Sequence, residues 1–260
     1  MAVDMNPRAA RRRIPARSLP FVTAAVVVGL WWLATIVFDI DSFLVPSPAD
    51  IVDAMVRLPD YLLDESLYTL YTTTVGFVIA AVCGLLVALA LTAFRWVEEA
   101  ILPLLVALNS IPKIAIAPLL VAWFGFDSGP KIILVVLLCF FPVVVSSAAG
   151  IASTPTELTE LARSLWAGSL HTYLKIRLPW ALPQIFVGFK VAIALAVIGS
   201  VVADIASPSH GLGSVVVKST LDTPLAFAAV VLLSLISVGL YYVIVAAERK
   251  FLPWASEVTG

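Results

Sequence analysis

Few residues in this chain could do chemistry, and the most suggestive are three ionisable side chains set in apolar runs: Lys113, Lys190 and Asp204. A charge inside a membrane-crossing segment is costly, and it marks a solute pathway, a partner or a side chain that snorkels to the surface. Lys113 follows Asn109, Ser110 and Pro112 and precedes Pro118. Such a run should break a helix and free backbone groups for neighbours or cavity water, as broken helices do at translocation sites. Asn109, Ser110 and Lys113 are therefore candidate pathway residues, with Lys113 favouring an anion. The alternative places Lys113 close enough to the membrane surface for its ammonium to sit among head groups. Lys190 fits snorkelling or pairing beneath the bundle better than contact with a solute. Asp204 lies near the other surface, lining the pathway or simply solvated.

Enzymatic constellations are missing. Both histidines, His171 and His210, fall in expected loops without carboxylates or cysteines at ligand spacing, so no metal site is predicted. Cys83 and Cys139 sit in apolar runs and read as small buried hydrophobes. Gly125 to Lys131 contains glycines and a lysine, but not at the spacing of a phosphate-cradling loop. No catalytic residue is expected, and no ATP site in this chain.

The elements that carry these residues follow from composition. Of 260 residues, 61% are hydrophobic and 13% charged, too apolar for a water-soluble core. A net charge of -1 argues against a nucleic-acid surface. A helix needs about 20 mainly apolar residues to cross a bilayer, and six segments qualify: 19–38, 67–94, 101–124, 130–151, 184–205 and 224–247. The fold class is thus an all-α polytopic membrane protein of about six transmembrane helices. Residues 1–18 form a basic tail, 19–247 the transmembrane domain and 248–260 a second tail. The first apolar run exceeds the 7–15 residues of a signal-peptide core and reads as a retained anchor.

Lys and Arg in short loops mark the cytoplasmic side. With both termini inside, that side holds Arg8, Arg11, Arg12, Arg13, Arg17, Arg95, Arg163, Lys175, Arg177, Arg249 and Lys250, against Arg57, Lys131 and Lys218 outside. Trp96, Trp180 and Trp254 fall near cytoplasmic boundaries, as an aromatic belt would place them. The acidic outer loop holds Asp39, Asp41, Asp50, Asp53, Asp60, Asp64 and Glu65. Within it Ser47-Pro48-Ala49-Asp50 reads as a helix start, and Ile51, Val52, Met55 and Val56 share the face of an amphipathic surface helix.

Residues 154–183 are the informative connection. Thr154, Pro155 and Glu157 have the spacing of a capping box with proline at the first helical position. Leu158, Leu161, Ala162 and Leu165 then form one apolar stripe beside Glu157, Glu160 and Arg163. Gly168 can supply a left-handed residue that ends this helix, and Ser169 can cap a second. That second helix carries Leu170, Tyr173, Leu174 and Leu178 on one face before Pro179 stops it. Periodicity alone equally allows a hairpin that merely stacks on the base of the bundle.

Glu160-Leu161-Ala162, Gly168, Ile176 and Leu178-Pro179 resemble the EAA loop of permease subunits of bacterial ABC importers. Phe43-Leu44-Val45-Pro46-Ser47-Pro48, Ile111-Pro112-Lys113-Ile114-Ala115, Trp123-Phe124-Gly125, Phe141-Pro142 and Asp222-Thr223-Pro224-Leu225 look like its nitrate, sulfonate, taurine and bicarbonate branch. The resemblance implies a type I importer permease in the bacterial inner membrane, carrying a small, anionic solute. It also implies that Glu157, Glu160, Leu161, Ala162, Leu165, Trp166, Gly168, Ile176, Leu178 and Pro179 belong to a loop coupled to a cytoplasmic ATPase dimer. ATP and Mg would be held there, and a second permease copy, membrane lipid and an extracytoplasmic substrate-binding protein would complete the assembly. Three departures stand out: Trp166 occupies the family's loop-glycine position, Leu161 replaces its first alanine, and Asp204 replaces a glutamate near the outer end of the fifth span. A secondary carrier or channel is the alternative, although carriers usually contain internal repeats and need no docking hairpin.

Overall fold

The computed structural model describes residues 19–93 and 95–253; the basic segment 1–18 with its arginines, Phe94 and 254–260 with Trp254 lie outside the described residues. Every regular element among the described residues is helical. In chain order these are α1 (Leu19–Val37), α2 (Pro48–Arg57), α3 (Pro59–Ala93), α4 (Arg95–Asn109), α5 (Lys113–Phe124) and α6 (Ser128–Ala152). There follow α7 (Thr156–Ser164), α8 (Ser169–Thr172), a π turn (Tyr173–Arg177), α9 (Leu178–Ala206), α10 (Leu212–Lys218) and α11 (Thr223–Phe251).

Among the described residues four helices are long and apolar enough to cross a membrane: α3, α6, the continuous run Leu170–Ala206 and α11. The segment expected as the third span is broken between α4 and α5, which meet at 86°, and together they would make a fifth crossing. Its break follows the Asn109–Pro112 run, where Pro112 withholds a backbone donor. The first expected span is a shorter apolar helix, α1.

α3 starts at Pro59, eight residues before the expected Leu67, and spans 35 residues. At 1.5 Å per residue it is about 50 Å long, well beyond a hydrocarbon layer of about 30 Å. Asp60, Asp64 and Glu65 are therefore helical residues, not loop residues, and Glu65 is buried.

α6 is the axis of the bundle, lying between α3 and α9. Gly76 and Gly84 of α3 face Val135 and Val143 of α6, so these two helices run parallel. Gly188 and Gly199 of α9 face Ser146 and Val135, so α9 runs antiparallel to α6. A Cβ on Gly76 or Gly188 would stand 2.6 Å from a Cβ of α6. Hydrogen at these positions is what lets the backbones approach, the usual packing device where lipid removes the hydrophobic drive between helices. Val135, Cys139 and Val143 of α6 are fully buried at this seam.

The surface helix is as expected. In α2 the Asp50 amide donates to Ser47 Oγ at 3.3 Å and the Ser47 amide to Asp50 Oδ2 at 2.9 Å, a complete capping box. Ile51 and Ala54 are buried against α11, but Val52 and Val56 remain exposed, so the buried face is narrower than the apolar one. Arg57 at the end of α2 pairs with Asp222, the N-cap of α11, at 2.8 Å and clips the two elements together. On the other flank, Trp31 of α1 packs on Phe227 of α11.

Candidate functional site

At one end of the bundle α7 projects from the foot of α6. It starts at Thr156 with Pro155 as N-cap. The expected box between Thr154 and Glu157 does not form, because the Thr154 hydroxyl donates instead to the Ile151 carbonyl at 2.9 Å and closes α6. Of the predicted apolar stripe only Ala162 is buried and Leu158 half-buried. Leu161 and Leu165 are 58% and 72% exposed, and Glu157 and Glu160 beside them are exposed too. Single-chain packing thus leaves an apolar edge of α7 bare, which a hairpin stacked on the bundle base would not.

The turn after α7 is also not where glycine would put it. Trp166 has φ 56°, whereas Gly168 is not among the positive-φ residues and a Cβ there would meet open space. The Trp166 amide donates to Arg163 O and the Ala167 amide to Ala162 O, both at 3.0 Å. This pair of bonds is the Schellman closure, with Trp166 in the left-handed position that glycine normally fills. A left-handed L-residue costs about 1–2 kcal/mol. The indole is not repaid by burial, being 96% exposed.

The second helix does not stop at Pro179. α8, the π turn and α9 form one continuous run, Leu170–Ala206, in which Pro179 falls within the first turn of α9, where a missing amide is tolerated. The π turn anchors this junction: Tyr173 Oη donates to Leu89 O at 3.0 Å and is hydrogen-bonded to Thr92 Oγ1, both near the end of α3. Ile176, Leu178 and Pro179 are half-buried, and Leu178 packs on Ile151, Ala181 and Ile185. Those three residues therefore belong to the foot of the bundle, and α7 with Trp166 is the projecting part.

The broken helix places Asn109, Ser110 and Lys113 together and exposed or half-exposed. Lys113 Nζ donates to Asn109 Oδ1 at 2.5 Å and to Asn109 O at 3.4 Å, so the ammonium caps the open carbonyl end of α4. Lys190 pairs with Glu248 of α11 at 2.5 Å.

Asp204 is neither solvated nor open to a solute. It and Lys131 are both fully buried and bridged at 2.9 Å, so Lys131, counted with the outer-side cations, is a buried residue of α6. Lys131 Nζ also donates to His210 O at 2.5 Å and lies 5.0 Å from the Tyr68 ring centroid. Asp204 Oδ2 accepts from the Gly213 amide at 3.2 Å, Glu65 Oε2 from the Gly211 amide, and Thr69 Oγ1 from the Leu212 amide at 2.8 Å. Below this knot Thr72 and Ser200 share a hydrogen bond at 3.0 Å. The loop 207–211 and the first residues of α10 are thereby pinned onto α3, α6 and α9. Glu65, Thr69, Thr72, Thr73 and Gly76 recur on one helical face, a polar stripe in an apolar run that could have signalled the knot. Gly211, at φ 99°, is boxed in by Asp204, whose Oδ2 lies 2.2 Å from where a Cβ would stand.

Comparison with known proteins places the chain among transport permeases. Residues 76–252 match the family described as binding-protein-dependent transport system inner membrane component. The chain is similar to the formylaminopyrimidine transport permease protein ThiX of Halalkalibacterium halodurans, 35% identical over 82% of this chain and 86% of the relative. It is 32% identical to the riboflavin transport system permease protein RibX of Chloroflexus aurantiacus, over 92% of this chain and 91% of that one. A putative aliphatic sulfonates transport permease protein, SsuC of Bacillus subtilis, is 28% identical over 91% of this chain and 87% of its own.

Proposed function

Since the chain belongs to the family of binding-protein-dependent transport system inner membrane components, we propose that it forms half of the translocation pathway of an ATP-driven importer and couples that pathway to a cytoplasmic ATPase through α7. Family membership makes it an ABC-transporter permease of the inner membrane and not an enzyme, with an ATPase and a binding protein as its kind of partner. The coupling role rests on one observation: α7 leaves Leu161, Leu165 and Trp166 bare beside Glu157 and Glu160. Apolar and acidic groups held on a short, sharply closed helix suit a groove in another subunit.

In this reading α1, α3, the α4–α5 pair, α6, Leu170–Ala206 and α11 make six crossings, both termini are cytoplasmic, and α7 lies on the cytoplasmic side. ATP and Mg are bound by the partner. Two copies of the chain enclose the pathway about a two-fold axis, since one bundle packs its centre shut around α6. ATP-driven closure of the ATPase dimer moves both α7 helices, and the bundles reopen toward the binding protein. Asn109, Ser110 and Lys113 line the pathway at the α4–α5 break, while Asp204 acts structurally within the polar knot.

The solute is small and delivered by the binding protein. The resemblance to the sulfonate, nitrate and taurine branch favours an anion. A second reading, a nitrogen heterocycle, is favoured by the higher identity to the pyrimidine- and riboflavin-named permeases. Ligand binding by the cognate binding protein separates the two. For the coupling role, Leu161→Asp with Leu165→Asp should abolish co-purification of the ATPase while the bundle keeps its melting temperature. Wild-type association and uptake would sink the assignment, and ATP-independent uptake by vesicles holding only this chain would establish a carrier instead.

A further inference from the structure

Beside α7 the structure holds a half-enclosed cleft of about 750 Å³, between the end of α3 and the α7–α8 turn. Its size lies within the roughly 300–1,000 Å³ of ligand sites. Leu89, Ala90, Ala93, Leu170 and Leu174 form its apolar walls, and Arg163 and Arg177 face it from opposite sides of the turn. The hydroxyls in the cleft are already committed: Thr159 donates to Thr156 O, Thr172 to Gly168 O and Tyr173 to Leu89 O. The guanidinium groups are not. Among the described residues neither has an acidic partner, and Glu160, one turn before Arg163, forms no ion pair with it.

A second cavity, of about 370 Å³, continues from the first. The two share Thr92 and Arg177, and the second runs along α6 past Val144, Val145, Ala148 and Ile151, with Leu102 of α4 on its other wall. It is an apolar trough on the membrane-embedded part of the bundle, and it ends at a guanidinium. A basic cleft at a helix end joined to an apolar groove between spans has the two-part chemistry of a phospholipid. Arginine suits the head group because its planar fork meets phosphate oxygens bidentately.

We propose that this composite site binds an anionic phospholipid, its phosphate between Arg163 and Arg177 and one acyl chain in the α4–α6 trough. The lipid then stiffens the junction of α3, α7 and the π turn. The site is independent of the transported solute.

The test is native mass spectrometry of the full chain in detergent, titrated with phosphatidylglycerol or with phosphatidylcholine of the same chains. Phosphatidylglycerol should bind the wild type about tenfold more tightly than phosphatidylcholine. Arg163→Gln with Arg177→Gln should erase that preference, and Val145→Trp, which fills the trough from its rim, should weaken both lipids. Lys175→Gln removes a like charge from a residue that does not line the cleft and should leave binding unchanged. Equal binding of the two lipids, or an equal loss in Lys175→Gln, would overturn the proposal. Glycerol 3-phosphate binding as tightly as the lipid would overturn it in favour of a soluble anion. All variants are compared at wild-type melting temperature, and Arg177→Lys, which keeps charge but not the fork, should fall between wild type and Arg177→Gln.

Discussion

Replacing Asp204 by asparagine preserves shape and removes one charge from a pair that is fully buried on both sides. Lys131 would keep His210 O and the Tyr68 ring as partners but lose its counter-charge. Asparagine meets two donors, Lys131 Nζ at Oδ1 and the Gly213 amide at Oδ2, with only one oxygen left to accept. One donor must therefore face the new NH2 group. Removing one member of a buried pair costs about 3–5 kcal/mol, because the other charge stays uncompensated. At about 2–4 °C per kcal/mol for a chain of this size, the melting temperature should fall by about 6–20 °C. The second half of the prediction is the sharper one. Lys131→Met combined with Asp204→Asn removes both charges, and the asparagine oxygen is free to accept from Gly213. The double variant should then be more stable than Asp204→Asn alone, giving a coupling energy of about 2 kcal/mol or more. Thermal unfolding of wild type, both single variants and the double variant in one detergent closes the cycle. Additive losses would refute the reasoning, since they would mean that the two charges do not depend on each other.

Trp166→Gly should relieve the left-handed strain and stabilise the end of α7 by about 1 kcal/mol, seen as slower hydrogen exchange at the amides of residues 166 and 167. Gly168→Ala, at a position with open space and no positive φ, should leave that exchange unchanged. Gly76→Leu would drive a side chain into Val135 and should lower the melting temperature by the equivalent of about 1–3 kcal/mol or more. Tyr173→Phe loses the bond to Leu89 O and should raise exchange across the π turn by about fivefold, corresponding to about 1 kcal/mol. If Lys113 lines the pathway, Lys113→Ala should change uptake rate or solute range in reconstituted vesicles; unchanged uptake would confine the lysine to capping α4.

Hydrophobic length and composition are one-dimensional properties, so the residue order alone makes this chain helical and membrane-embedded. It also located local chemistry well. The helix start at Ser47, the break at Pro112 and the short helix carrying Glu160 all depend on residues within one or two turns of each other. Where two local solutions compete, the sequence is ambiguous. Thr154 could cap α7 or close α6, and the carbonyl of Ile151 took it. Gly168 offered the obvious turn residue, yet the length of α7 placed the Schellman position at Trp166. Pro179 looked like a stop until the π turn at Tyr173–Arg177 let the helix continue.

The polar knot, by contrast, is a product of helix packing. Lys131 and Asp204 lie 73 positions apart, and Gly211 and Glu65 lie 146 apart. Nothing in the local spacing says that these groups meet. They meet because Gly76, Gly84, Gly188 and Gly199 let α3 and α9 close on α6, and burial at that distance forces every charge and amide to find a partner. For the same reason an aspartate that looked free to touch a solute holds a loop instead, while the apolar edge of α7 stays exposed among the described residues.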